Sequence, residues 1–212
     1  MSLWEKETRL EGGEAEEARF CPRPSRGGRG ANSDWAPDSV TEPRMPSSRA
    51  TRRMPLMIRP ATDEDRVAIA RMAEEVVHAG DAFVYRSVDL VLGYWYAEAA
   101  SIWIAEEGGD VAGTYVVKPN QPDRGAHVAN AGYMVAATHR RAGVGRRLGE
   151  HSIETARGLG YTAMQFNMVV ASNRSAVRLW EDLGFAIVGT LPEVFRHTSG
   201  ELVDAYVMHR RL

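Results

Sequence analysis

The sequence predicts a three-layer α/β fold, a mixed sheet with helices on both faces. Three observations lead there. Beyond residue 55, short apolar or alternating runs alternate with segments of helical period, in an order that one sheet covered on both sides accommodates. Gly108-Gly109-Asp110 joins two such runs as a hairpin. A third run leads straight into a glycine-bearing turn that opens a helix, a strand–turn–helix unit.

The elements follow in order. Residues 56–59 read as a first strand that Pro60 ends. Thr62-Asp63-Glu64-Asp65 is a capping box, followed by a helix carrying Val67, Ala70 and Val77 to about His78, which Gly80-Asp81 breaks. Residues 87–99 form a second helix, rich in Tyr94, Trp95 and Tyr96. Residues 101–105 and 111–118 are the hairpin strands, 119–125 a loop, and 126–135 the next strand. The helix opening at Val144 keeps an apolar stripe through Leu148, Ser152 and Ala156, and Gly158 and Gly160 mark its end. Residues 161–170, rich in β-branched and aromatic side chains, form a strand. The helix from Asn173 stops at Gly184, a left-handed cap, with Phe185 folding back on the last turn. Residues 185–189 and 202–209 supply the last strands.

Composition narrows the class. The chain has 212 residues, 44% hydrophobic and 25% charged, with a formal net charge of −2, enough for one globular domain with a sizeable core. Near-neutral charge gives no argument for nucleic acid. The single cysteine, Cys21, excludes an internal disulfide framework and fits a reducing compartment. No apolar run approaches the ~20 residues of a membrane span, so the expectation is a cytoplasmic protein without membrane partners. Six of the ten prolines lie in residues 1–55, where apolar residues follow no period. Such a stretch buries too little surface to offset its ordering entropy. It is expected to be a disordered tail, and residues 56–212 the domain.

The turn carries the chemistry. His139-Arg140-Arg141-Ala142-Gly143-Val144-Gly145-Arg146-Arg147 sits where unpartnered helix N–H groups and the helix dipole favour an anion. Gly143 and Gly145 let a ligand approach the backbone, and the arginines add positive charge. No Gly-Lys-Ser/Thr follows, and no third glycine falls where a dinucleotide fingerprint needs it. Arg140, Gly143 and Gly145 spell R-x-x-G-x-G. Downstream, Asn173-Arg174-Ser175-Ala176-Val177-Arg178-Leu179-Trp180-Glu181-Asp182-Leu183-Gly184-Phe185 spells N-x-x-A-x-x-L-x-x-x-x-G-F.

Together these blocks resemble the GNAT N-acetyltransferase superfamily, over residues from about 57 to 212. The resemblance implies a GNAT-type three-layer fold with a mixed, mostly antiparallel sheet, and transfer of acetyl from acetyl-CoA to an amine, with no metal. It implies that Arg140, Arg141, Ala142, Gly143, Val144, Gly145 and Arg146 hold the diphosphate. The strand before them is expected to splay from its neighbour and hold pantetheine, with the Val135 N–H facing the thioester carbonyl. Such a donor is worth roughly 3 kcal/mol. Dimers are common in the resembled families, so the likeness also implies a homodimer.

The chain departs from the pattern at Trp180, where the family frequently places a tyrosine that protonates the departing thiolate. An indole N–H is far too weak an acid. Thiolate lies only ~2 kcal/mol above thiol at pH 7, so release without that acid, or with water, Tyr133 or Tyr206 in its place, all stay open.

The acceptor is read from asparagines. Asn130, Asn167 and Asn173, together with Leu191-Pro192 and Val203-Asp204-Ala205, are similar to the arrangement in the L-azetidine-2-carboxylate (proline-analogue) N-acetyltransferases. That likeness implies a small-molecule amine substrate, a small amino or imino acid. Asn130 would lie at its carboxylate, Asn167 at the reacting centre and Asn173 at pantetheine or acetyl. By alternation Asn167 shares a face with Gln165 and Val169, opposite Phe166 and Met168. An ordinary helix cap explains Asn173 equally well. His127, Asp204 and water are candidate bases. Two rival readings are a GNAT enzyme acting on a protein N-terminus, polyamine or antibiotic, and an acyl-CoA-binding module without catalysis.

Overall fold

The computed structural model describes residues 54–212. The expected tail and Cys21 lie outside them, apart from the last two residues of the tail. The described chain contains β1 (Met57–Pro60), α1 (Arg66–Ala79), α2 (Val88–Trp95), β2 (Ser101–Glu107), β3 (Asp110–Pro119), β4 (Val128–Val135), α3 (Val144–Gly158), β5 (Ala163–Val170), α4 (Arg174–Asp182), β6 (Ala186–Arg196) and β7 (Leu202–Arg211). The strands form one sheet in the order β1-β2-β3-β4-β5-β7-β6, and β4–β5 is its parallel pair.

Alternation along the strands sorts the core into two layers. Val116 and Met134 pack with Ile69, Met72, Ala73 and Val76 of α1 and Val91 and Trp95 of α2. Tyr115, Val117, Ala129, Ala131, Met164 and Phe166 pack with Leu148 and Ile153 of α3 and Trp180 of α4. Helices therefore cover both faces, as the element order predicts.

Local chemistry explains the boundaries. Asp65 accepts the Thr62 N–H (2.7 Å), and Asp63–Asp65 form a 3-10 turn before α1 begins. Gly80 ends α1 at φ 60°, and the Ser87 hydroxyl accepts the Leu90 N–H to start α2. That helix stops at Trp95, short of the expected residue 99, because Tyr96 leaves helical dihedrals (φ −97°, ψ 27°) and Ala99 takes φ 59°. Gly108 (φ 64°) and Gly109 (φ 90°) turn the hairpin.

The sixth strand runs well past the expected residue 189, through Pro192. It lies at the sheet edge, and its register with β7 shifts between Leu191 and Phe195. An edge strand with a bulge tolerates a proline that a central strand would not.

Candidate functional site

The site begins with a missing ladder. β4 and β5 are paired only at Val128↔Ala163 and Ala129↔Met164. Beyond those residues the two strands diverge. The Ala136 N–H donates to Ala112 O of β3 (3.0 Å), and Val128 O accepts from Asn120. Even-numbered β4 residues thus aim their backbone at β3, and Ala131, Tyr133 and Val135 aim theirs into the gap. Those N–H and C=O groups have no ladder partner on β5.

The open end of the gap leads into the arginine turn. Residues 137–139 make a 3-10 turn, Arg141 takes φ 62° and Gly143 takes φ 82° as N-cap of α3. The first helical bond runs from the Arg147 N–H to Gly143 O (3.2 Å). The N–H groups of Val144, Gly145 and Arg146 precede it and find no protein acceptor among the described residues. A Cβ added to Gly143 would meet nothing within 4 Å. One added to Gly145 would come 3.9 Å from Val135 Cγ2 and 3.7 Å from Leu179 Cδ2. Val135 thus stands beside the helix mouth, with β4 running away from it. Three backbone donors, an open glycine and a strand with free amides fit a diphosphate followed by a long polar arm.

The arginines divide. Arg140 and Arg141 are exposed and make no ion pair among the described residues. Arg146 is tied to Asp182 of α4 (2.6 Å), so it offers the turn its backbone rather than its charge. Arg147 donates to Leu56 O (3.1 Å), away from the turn. Ala142 is half-buried against the core, and Val144 puts its side chain into the core.

At the closed end, three amides converge. The side-chain oxygen of Asn120 accepts from Asn130 Nδ2 (3.0 Å) and from Asn167 Nδ2 (2.7 Å). Asn167 Oδ1 accepts from Gln165 (2.9 Å), and the Tyr94 hydroxyl reaches Asn130 Oδ1 at 3.4 Å. The network orients every amide and leaves Asn120 Nδ2 with no protein acceptor among the described residues. Lys118, opposite Asn130 in the β3–β4 register, holds its Nζ 3.5 Å over the Tyr94 ring and 3.3 Å from Tyr94 O. Burial lowers the Lys118 pKa, and burial, with Tyr85 adding to it, pushes Tyr94 up to about 12. The Tyr85 ring lies 5.9 Å from Tyr94 and lines a cavity of about 430 Å³ shared with Phe83, Arg86 and Phe195.

Comparison with known proteins agrees with this geometry. The model of the acetyltransferase (GNAT) family matches residues 69–185. The chain belongs to the GNAT family. The GNAT chain is 38% identical over 96 residues to N-acetyltransferase aca1 of Schizosaccharomyces pombe, covering 45% of this chain and 46% of that protein. It thus spans under half the length of that curated relative. Among solved structures it is similar to a GCN5-related N-acetyltransferase from Kribbella flavida, with 40% identity and TM-score 0.70, covering 74% of this chain and 98% of the other. It shares its fold with yncA of Salmonella typhimurium, solved with acetyl-CoA (24% identity, TM-score 0.67, 74% and 94% covered).

The structure also places the other residues named from the sequence of this GNAT chain. Trp180 is a core residue, 8% exposed, its ring 4.7 Å from both Tyr133 and Phe166 and closely packed on Gly149. The Tyr133 hydroxyl bonds Ser152 (2.7 Å) and burial raises its pKa, so it is no ready proton donor to the gap. Asp204 accepts the Glu193 N–H (2.9 Å), and with Tyr206 it lines a hollow of about 690 Å³ with residues of α4. His127 precedes β4 at the paired end and contacts Arg124 O (3.0 Å). Asn173 caps α4 through the Ala176 N–H (3.2 Å), which leaves its NH₂ available. The β5 register shift after Phe166 puts Val169 in the core with Phe166, not on the Asn167 face. Sequence reasoning missed Lys118 and Asn120. Only the β3–β4 register could have placed them.

Proposed function

We propose that this chain moves an acetyl group from acetyl-CoA to the amine of a small amino or imino acid by direct attack. The observation that carries the reading is the Asn120 oxygen shared by Asn130 and Asn167, which gathers amide donors from β4 and β5 beside the gap.

Bound acetyl-CoA would supply an activated acetyl thioester. The amides of Val144, Gly145 and Arg146, with Arg140 and Arg141, would hold the diphosphate, and the Asn173 NH₂ would add a contact nearby. Val135 stands beside Gly145, about five strand residues or ~16 Å from Asn130. Its N–H suits the pantetheine arm. Ala131 follows the last paired residue, where the gap is narrowest. The Tyr133 N–H, between them, would be the donor for the oxygen that gains charge, a role worth about 3 kcal/mol.

The incoming amine must be neutral, and α-ammonium groups titrate at ~8 or above. As its nitrogen bonds the acetyl carbon, the C–S bond breaks and sulfur leaves as thiolate. The proton shed by nitrogen passes to solvent at the exposed Asn167. The burial of Trp180 and Tyr133 makes release without a side-chain acid the simpler course.

The test separates binding from chemistry. Asn130→Ala should raise KM by about 10-fold or more, as loss of one hydrogen bond to a charged group. Asn167→Ala should lower kcat, if its contact strengthens in the transition state. Full activity of both variants would overturn the reading.

A further inference from the structure

Lys118 is the cation of the asparagine cluster. It sits two residues before Asn120 on β3, opposite Asn130 on β4. Alternation puts it on the face of Val116, which packs under α1 and α2, and Tyr94 of α2 closes over it. A lysine ammonium has three donors. One is used on Tyr94 O (3.3 Å), and the aromatic face receives the charge at 3.5 Å. No carboxylate pairs with Lys118 among the described residues. A half-buried ammonium next to the free Asn120 NH₂ and the second N–H of the Asn130 amide is a cradle for a ligand's negative group.

We infer that Lys118 is the counter-charge for the acceptor's carboxylate, so that the enzyme selects amines bearing an adjacent carboxylate over the corresponding amides. The inference rests on the acceptor reading above and deepens it. Asn130 then positions the carboxylate by hydrogen bonding, and Lys118 sets which substrates enter.

The experiment compares L-azetidine-2-carboxylate and L-proline with their primary carboxamides, in wild type, Lys118→Met and Lys118→Arg, with melting curves for each variant. A charge-assisted contact is worth about 10- to 100-fold. Compared per neutral amine, because the carboxamide lowers the amine pKa, wild type should prefer each acid over its amide by that factor in kcat/KM. Lys118→Met should erase the preference through a higher KM for the acids, and Lys118→Arg should keep part of it. An acid preference that survives in folded Lys118→Met overturns the role of Lys118 while leaving the amino-acid reading intact. A wild type that takes acid and amide equally also overturns it, whatever the variants do. A wild type that acetylates peptides but none of these amines overturns both.

Discussion

Asn120 and Asn167 are joined by a 2.7 Å hydrogen bond that spans from the loop after β3 to β5, beside the gap where β4 and β5 part. The same oxygen holds Asn130. Asn120→Ala should release both amides at once. We expect kcat/KM for the amine to fall by about 10- to 100-fold, with acetyl-CoA affinity unchanged, because the amides proposed to hold the diphosphate lie at the other end of β4. Steady-state kinetics with calorimetry on acetyl-CoA separates the two effects. An equal loss on both ligands would point to a structural collapse instead.

Gly143→Asp should nearly abolish acetyl-CoA binding and spare the fold. The position has φ 82° and open space around its missing Cβ, so strain costs about 1 kcal/mol. An aspartate at the N-cap partly offsets that by accepting the Gly145 or Arg146 N–H. Those are the amides assigned to diphosphate, and a carboxylate now faces it. Calorimetry should show affinity down by about 100-fold or more. Unchanged binding in a folded variant would contradict the site.

Trp180→Tyr should not accelerate thiolate release, although it restores the residue the family frequently carries. The side chain there is boxed in by Tyr133, Phe166, Phe185 and Gly149. We expect kcat within about 2-fold of wild type and a loss of about 1–3 kcal/mol in stability from the unfilled volume. A large rise in kcat with altered pH dependence would show the side chain reaching the gap.

Asp65 ties β1 to the start of α1. The Arg59 guanidinium donates to both its oxygens (2.8 Å each) and, with the Thr62 N–H, holds its pKa down to about 2 against burial. A depressed carboxylate pKa contributes stability that is complete above about pH 4 and lost as pH falls through about 2. The shift corresponds to at most about 2 kcal/mol, trimmed because Arg59 is 35% exposed. Urea unfolding should show Asp65→Asn less stable than wild type at pH 7, with the difference closing between about pH 4 and pH 2. A constant difference would rule out the linkage.

Local backbone demands were legible in the sequence. The Arg140–Gly145 turn, the Asn173 cap and the Gly184 stop each depend on a few adjacent residues, and each lies where the pattern puts it. Pairings between distant residues were not. Lys118 and Asn120 join Asn130 through the register of β3 on β4. Alternation along β5 fails at Val169 because the register shifts after Phe166. Trp180 stands out by motif position, yet its environment is set by Gly149 of another helix, which no spacing within its own motif reveals.

The chemistry of the acceptor is read most directly from one measurement. Thiol release is followed at saturating acetyl-CoA and pH 8 over a panel of amino and imino acids, polyamines, aminoglycosides and short peptides, with the product identified by mass. A small carboxylate-bearing amine should give the highest kcat/KM and an N-acetylated product. Turnover confined to amines without a carboxylate, or to peptides, would contradict it.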